Sequence, residues 1–171
     1  MKSLEEQMSV YLRYHRNPKN RLTHFVGVPL IVFSLLVLLA LVRVHVGDFS
    51  ISAATVLAVI VLIYYFRLDA VLAAAMTLFF AVLLVAAHGV ADEGTRPALI
   101  IFASTFVVGW AFQLIGHVFE GKKPALMDNF FQVFIAPIFL MAEVFFAFGY
   151  KREVAEKMEL MAGASEPGQP S

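Results

Sequence analysis

Residues Tyr11 to Pro29 read YLRYHRNPKNRLTHFVGVP, and this stretch joins a cationic segment to the mouth of a long apolar run. Asn17 is a good helix N-cap, because its side-chain oxygen can take an unpaired amide hydrogen of the first turn. Pro18 suits the first helical position, where its missing N–H costs nothing. A helix starting there sets Asn20 and His24 four residues apart and therefore on one face. His15 lies just before the cap, close enough to fold back over that face. Pro29 falls inside the same helix and deprives the carbonyl of Phe25 of its usual donor, which predicts a kink or a free acceptor. Polar side chains gathered at the mouth of an apolar helix need a chemical reason.

The surrounding composition says what kind of helix this is. The 171-residue chain is 60% hydrophobic and only 15% charged, with a mean hydropathy of +0.79. A soluble domain of this length cannot bury so much apolar surface, so the chain reads as a polytopic membrane protein. Its formal net charge of zero gives no support for nucleic-acid binding. Cysteine is absent, which excludes disulfides, thiolate metal sites and cysteine nucleophiles. The first residues are polar, so no cleavable leader is expected and the first apolar segment would act as its own insertion signal.

Working outward, Leu4, Met8, Tyr11 and Leu12 recur at helical spacing, which predicts an interfacial amphipathic helix over Ser3–Arg16. Tyr11 and His15, four apart, share its last face. The first span is expected from Thr23 to Val46, with Arg43 and His45 snorkelling at its far end and a tight turn over Gly47–Ser50. Ile51–Phe66 is about 24 Å of helix, short for a crossing, and ends in the aromatic pair Tyr64–Tyr65 and Arg67. Ala70–Ala87 follows, closed by His88 and a polar loop over Gly89–Pro97. Ala98–Phe119 is the fourth stretch; Gly121 fits its end, Lys122 and Lys123 suit its negative pole, and Pro124 forbids continuation. A last stretch, Phe130–Tyr150, is broken by Pro137 and carries Glu143. The expected fold is all-α: a polytopic membrane helix bundle of four to five apolar spans plus the N-terminal interfacial helix. Its parts are residues 1–22, a transmembrane domain over 23–150, and a polar, largely disordered tail over 151–171. Lysine and arginine place the N-terminus and the Lys122–Lys123 loop on the cytoplasmic side. Lys151, Arg152 and Lys157 prefer that side too, which favours four spans over five.

Trp110, Gln113, His117 and Glu120 fall on one face of the fourth helix. With the spans alternating, His15, His24 and His117 reach the same side of the membrane. Imidazoles backed by a carboxylate suit iron, zinc or copper, and Asn20 and Gln113, each four residues before a histidine, are placed to orient the rings. The same groups also fit a hydrogen-bonded network tying helices together, and spacing alone does not separate the two. His88 ends on the opposite face if every stretch crosses, where it reads as a loop residue. Five histidines are too few for the histidine-rich boxes of di-iron membrane hydroxylases. HExxH, GxSxG, phosphate-loop and GxGxxG patterns are all missing. A bis-histidine haem protein, a scaffold and a metal or proton transporter remain open, although a transporter should carry polar groups near the midplane of several spans.

Two segments narrow this further: YHRNPKNRLTHFVGVP, Tyr14–Pro29, and GWAFQLIGHVFEGKKPALMDNFFQVFIAPIFLMAEVFF, Gly109–Phe146. Together they resemble the membrane 2-hydroxy fatty acid dioxygenases of fungal phytosphingosine alpha-oxidation and their bacterial relatives, over nearly the whole chain from about Tyr11 to Phe146. The resemblance implies an Fe(II)-dependent dioxygenase that uses O2 to cleave a 2-hydroxy fatty acid between C1 and C2, leaving an acid one carbon shorter. His15, Asn20 and His24 match the first motif; Gln113, His117, Glu120, Pro124, Ala125, Asp128 and Asn129 match the second. The family also has a histidine at the end of its third apolar stretch, where His88 falls. The metal ligands implied are therefore His15, His24, His88 and His117, with Asn20, Gln113 and Glu120 in catalytic support. Tyr11, Arg21, Lys123 and Asn129 are expected to meet the substrate. The expected partners are the 2-hydroxy fatty acid, O2 and the bilayer, with no nucleic acid. The expected location is the bacterial cytoplasmic membrane or the endoplasmic reticulum of a eukaryote, with the site facing the cytoplasm. The competing expectation is a non-enzymatic membrane protein handling a metal, haem or protons.

Overall fold

The computed structural model describes residues 2–47, 49–123 and 131–164. In chain order these form helix α1 (Leu4–Leu12), α2 (Pro18–Ala40), a hairpin of β1 (Arg43–Val46) and β2 (Phe49–Ser52), then α3 (Ala53–Leu68), α4 (Ala70–Asp92), α5 (Thr95–Glu120), α6 (Gln132–Ala147) and α7 (Arg152–Ala164). The ends of these helices follow their local chemistry. Asn17 caps α2 by accepting from the Lys19 amide at 2.9 Å, with Pro18 in the first turn. Ser3 and Glu6 form a reciprocal capping box on α1. Asp69 caps α4, accepting from the Val71 and Leu72 amides. Gly121 ends α5 in the left-handed conformation, φ +69°, which glycine adopts without steric cost.

α2, α4 and α5 are each long and apolar enough to cross a membrane, and α3 and α6 are shorter apolar helices. Much of their apolar surface points away from the protein: Leu78, Val82, Val85, Val107 and Val118 are all exposed. Such faces are stable only against lipid or another apolar surface.

α2 and α5 form the most extensive helix pair, and glycine makes their approach possible. A Cβ at Gly27 would lie 2.8 Å from the carbonyl oxygen of Gly109, and one at Gly109 would lie 2.8 Å from Ile31 Cγ1. A Cβ at Gly116 would run into Thr23 and Asn20. Small residues at these positions let the backbones meet, as in membrane helix pairs generally, and bring His24 and His117 within reach of one another.

Cross-links fix which end of each helix lies where. At the end where α2 begins, Gln7 donates to the Tyr64 hydroxyl at 3.0 Å, and Lys151 pairs with Asp69. At the other end, Arg43 pairs with Asp92 and His88 meets Ser52. α2, α3, α4 and α5 therefore run alternately between two ends. α6 does not. Its Phe139 packs on Tyr11, Glu143 pairs with Arg21 at 2.8 Å, and the chain just beyond it returns to Asp69. The second half of α6 and the chain after it therefore lie at the α2 N-terminal end.

Several expectations change. The first span stops at Ala40, and residues 43–46 pair antiparallel with 49–52, so a small β-hairpin stands where the end of a helix and a turn were expected. The Gly89–Pro97 loop is mostly helix, with only Glu93 and Gly94 between α4 and α5. The N-terminal helix does not lie bare on a membrane surface, because Leu4, Met8, Tyr11 and Leu12 are buried against α6 and α7. Residues 152–164 of the expected disordered tail form α7, which buries Met158 and Ala162.

Candidate functional site

Three imidazoles meet at the α2 N-terminal end. His15, on the loop between α1 and α2, His24 on α2 and His117 on α5 are all buried, with one nitrogen from each lying within 4.8 Å of the others. Their ring centroids are 4.5 to 5.1 Å apart and all three pairs are steeply inclined. Rings in such contact leave no slot for a planar haem.

The hydrogen bonds decide which nitrogen atoms are free. His15 Nδ1 lies 2.8 Å from the carbonyl of Tyr11, and His24 Nδ1 lies 2.9 Å from the carbonyl of Asn20. A carbonyl only accepts, so each Nδ1 carries the proton and each Nε2 of the neutral ring is left as a lone pair. Those two Nε2 atoms face one another at 3.0 Å. His117 Nδ1 is also buried without a hydrogen-bond partner among the described residues. Burial, reinforced by His24 beside it, pushes the His15 imidazole well below its ordinary pKa, so an imidazolium proton is a poor bridge. Two facing lone pairs and a third unpartnered ring nitrogen, with no donor between them among the described residues, are the arrangement a metal cation satisfies, and the residues fit one. Imidazole alone suits iron, zinc, copper or nickel.

The surroundings hold this geometry. The Tyr11 ring stacks on His15 at 3.9 Å and 4°, so one residue fixes that imidazole through both its carbonyl and its ring. Glu120 accepts from the Arg16 and Asn17 backbone amides at 2.9 and 2.8 Å and from Asn20 Nδ2 at 3.0 Å. Its carboxylate therefore ties the His15 loop and the start of α2 to α5. It also sits at the positive end of α2, where a negative charge is favoured. Asn20 donates a further bond to the Tyr14 carbonyl at 3.1 Å, while its own Oδ1 is buried without a partner among the described residues.

A cavity opens on the histidines. It is lined by Tyr11, His15, His24, Gln113 and His117 at one end, and by Gln132 of α6. From there it continues along α2 past Val28, Ile31, Val32 and Leu35, facing Trp110, Val133 and Ala136. His24 to Leu35 spans about 16 Å of helix axis. Polar at its head and apolar below, the space matches an amphiphile with one polar end.

Of the residues expected at the site, His15, His24, His117, Tyr11 and Gln113 line this cavity, and Asn20 and Glu120 brace it. His88 stands apart. It lies near the far end of α4, its Nε2 2.8 Å from the Ser52 hydroxyl, roughly 30 Å away along α5. Its place at the end of the third apolar stretch is as expected, but antiparallel crossings carry that end away from the other three. Arg21 is engaged with Glu143 and Lys123 is exposed; neither lines the cavity. Pro124, Ala125, Asp128 and Asn129 lie outside the described residues. Gln132, 2% exposed with Oε1 unpartnered among the described residues, was not anticipated. The available signal was a lone amide inside an apolar stretch, since polar groups at membrane depth are costly and tend to be functional.

Comparison with known proteins agrees with this picture. Residues 1–148 match the family model described as 2-hydroxy-palmitic acid dioxygenase Mpo1-like. The chain is 37% identical over 160 residues to the 2-hydroxy-palmitic acid dioxygenase MPO1 of Saccharomyces cerevisiae, covering 91% of this chain and 87% of the yeast protein. No solved structure matches the chain. A match of this extent, on a chain whose three buried histidines close one end of an apolar cavity, makes it a member of the 2-hydroxy-palmitic acid dioxygenase Mpo1-like family.

Proposed function

We propose that the protein is an Fe(II)-dependent dioxygenase that shortens 2-hydroxy fatty acids by one carbon. The observation that carries the reading is the cavity with the His15–His24–His117 cluster at its head and an apolar floor along α2. The yeast relative is named for 2-hydroxy-palmitic acid, whose polar head and long tail suit the two parts of that space. His15, His24 and His117 would hold the iron. When bound, the ion supplies a Lewis acid for the substrate's polar head and the redox capacity to use O2.

The chain's own groups do the rest. The Tyr11 and Asn20 carbonyls keep Nδ1 of His15 and His24 protonated, so both Nε2 atoms stay available as donors. Val28, Ile31, Val32 and Leu35 hold the acyl chain and exclude water from the head. Neutral imidazoles leave a dication uncompensated, and an entering carboxylate balances that charge in a site where an unpaired charge is expensive. The reaction closes without an external reductant. The C1–C2 bond breaks, C1 leaves as carbon dioxide, C2 becomes the new carboxyl carbon, and the remaining oxygen and hydrogens leave as water.

We further propose that α2, α3, α4 and α5 cross the bilayer while α6 stays on the histidine side. The lysine and arginine distribution makes that side cytoplasmic, in the plasma membrane of a bacterium or the endoplasmic reticulum of a eukaryote. The test is to supply 2-hydroxypalmitate and O2 to the Fe(II)-loaded, detergent-purified protein. Pentadecanoic acid formed in step with O2 uptake is expected. Failure of a folded, iron-loaded protein to consume either reactant contradicts the proposal.

A further inference from the structure

Two buried amides that line the cavity have end atoms with no hydrogen-bond partner among the described residues: Gln113 Nε2 on α5 and Gln132 Oε1 on α6. Gln113 is 8% exposed and Gln132 2%, and both line the cavity that the three histidines close. An orphaned buried polar atom is costly, and two of opposite hydrogen-bonding character beside one cavity are placed for a ligand carrying both kinds of group. The match can be made atom by atom. A carboxylate only accepts, so it suits the Gln113 N–H. A hydroxyl has a proton to give, so it suits the Gln132 carbonyl oxygen. A plain fatty acid has methylene hydrogens at C2 and leaves the Gln132 oxygen unsatisfied.

We propose that Gln132 is the specificity-determining residue that tells a 2-hydroxy acid from an ordinary fatty acid, while Gln113 grips the carboxylate common to both. This rests on the 2-hydroxy fatty acid reading above and assigns its substrate selection to two side chains. A site built to hydrogen-bond a substrate hydroxyl discriminates strongly against the analogue lacking it, because its own polar atom is then buried unpaired.

The chain reports its own occupancy, since Trp110, its sole tryptophan, lines the same cavity. The experiment is a tryptophan-fluorescence titration of the full-length, metal-loaded protein in detergent, under anaerobic conditions so that bound acid is not consumed. The probes are 2-hydroxypalmitate and palmitate, and the variants are Gln132→Met and Gln113→Met, which keep side-chain length. Thermal unfolding of each variant confirms that it is folded. Wild type should prefer the 2-hydroxy acid by about 100-fold or more. Gln132→Met should cut that preference to within about threefold, by weakening 2-hydroxypalmitate and leaving palmitate unchanged. Gln113→Met should weaken both acids by a similar factor and preserve the preference. If Gln132→Met weakens both equally, or leaves the preference intact in a protein that still binds 2-hydroxypalmitate, the assignment to Gln132 is wrong and the functional reading stands. If folded wild type binds neither acid, the functional reading fails and the assignment goes with it.

Discussion

The two ends of the bundle both carry histidine, and they use it differently. At the α2 N-terminal end, His15 and His24 give their Nδ1 protons to carbonyls and turn unprotonated Nε2 atoms toward one another at 3.0 Å. At the far end, His88 spends its Nε2 on the Ser52 hydroxyl, and His45 is exposed on a strand. The first arrangement leaves a demand that a cation or a ligand meets; in the second the facing group is a hydroxyl of the protein or open space. What separates the two sets is whether Nε2 has a hydroxyl partner in the protein or faces a second unprotonated imidazole nitrogen.

That contrast can be broken experimentally, beginning where it should matter most. His15→Ala or His24→Ala removes one of the facing lone pairs, and turnover of 2-hydroxypalmitate should fall at least about 100-fold, read by product formation under O2. Glu120→Gln removes the charge that ties the His15 loop to α5 through two backbone amides and Asn20. It should cost about 1–3 kcal/mol and roughly tenfold in metal affinity, measured by thermal unfolding and competition with a chelator. Gly27→Ala drives a methyl against the Gly109 carbonyl and should destabilise by about 1–3 kcal/mol. Gly89→Ala, on α4 with open space around it, should be neutral or stabilise by about 0.5–1 kcal/mol. The smallest effect belongs to the far end. His88→Ala should cost only about 0.5–1.5 kcal/mol and leave turnover within about twofold, and a larger loss of activity would erase the distinction between the two ends.

The sequence was most legible where one local rule decides the outcome. Asn17 and Pro18 start α2, Gly121 ends α5, and the four-residue spacing of Asn20–His24 and Gln113–His117 put each pair on one face of its helix. What it hid depended on packing between distant segments. Arg43–Val46 continues an apolar run, and nothing local distinguishes the end of a span from a strand that finds a partner at Phe49–Ser52. The segment after Lys151 is polar enough to read as disordered, yet Met158 and Ala162 bury against a neighbour 150 residues away in sequence, α1. His88 was harder still. Its place at the end of an apolar helix is like that of His117, and only the alternation of α2 to α5 carries it to the opposite end of the bundle from the other three. Gln132 had a usable sign, a single amide in an apolar stretch, but its value emerges only when α6 lays it on the cavity that the histidines line.

The most direct test of the difference between the two ends is metal content, by mass spectrometry, of the detergent-purified protein loaded anaerobically with Fe(II), beside His24→Ala, His117→Ala and His88→Ala. About one iron per chain in wild type and in His88→Ala, with little in the other two, is the predicted result for a three-imidazole site. A folded wild type that takes up no metal, or a His88→Ala protein that loses it as fully as His24→Ala, would contradict it.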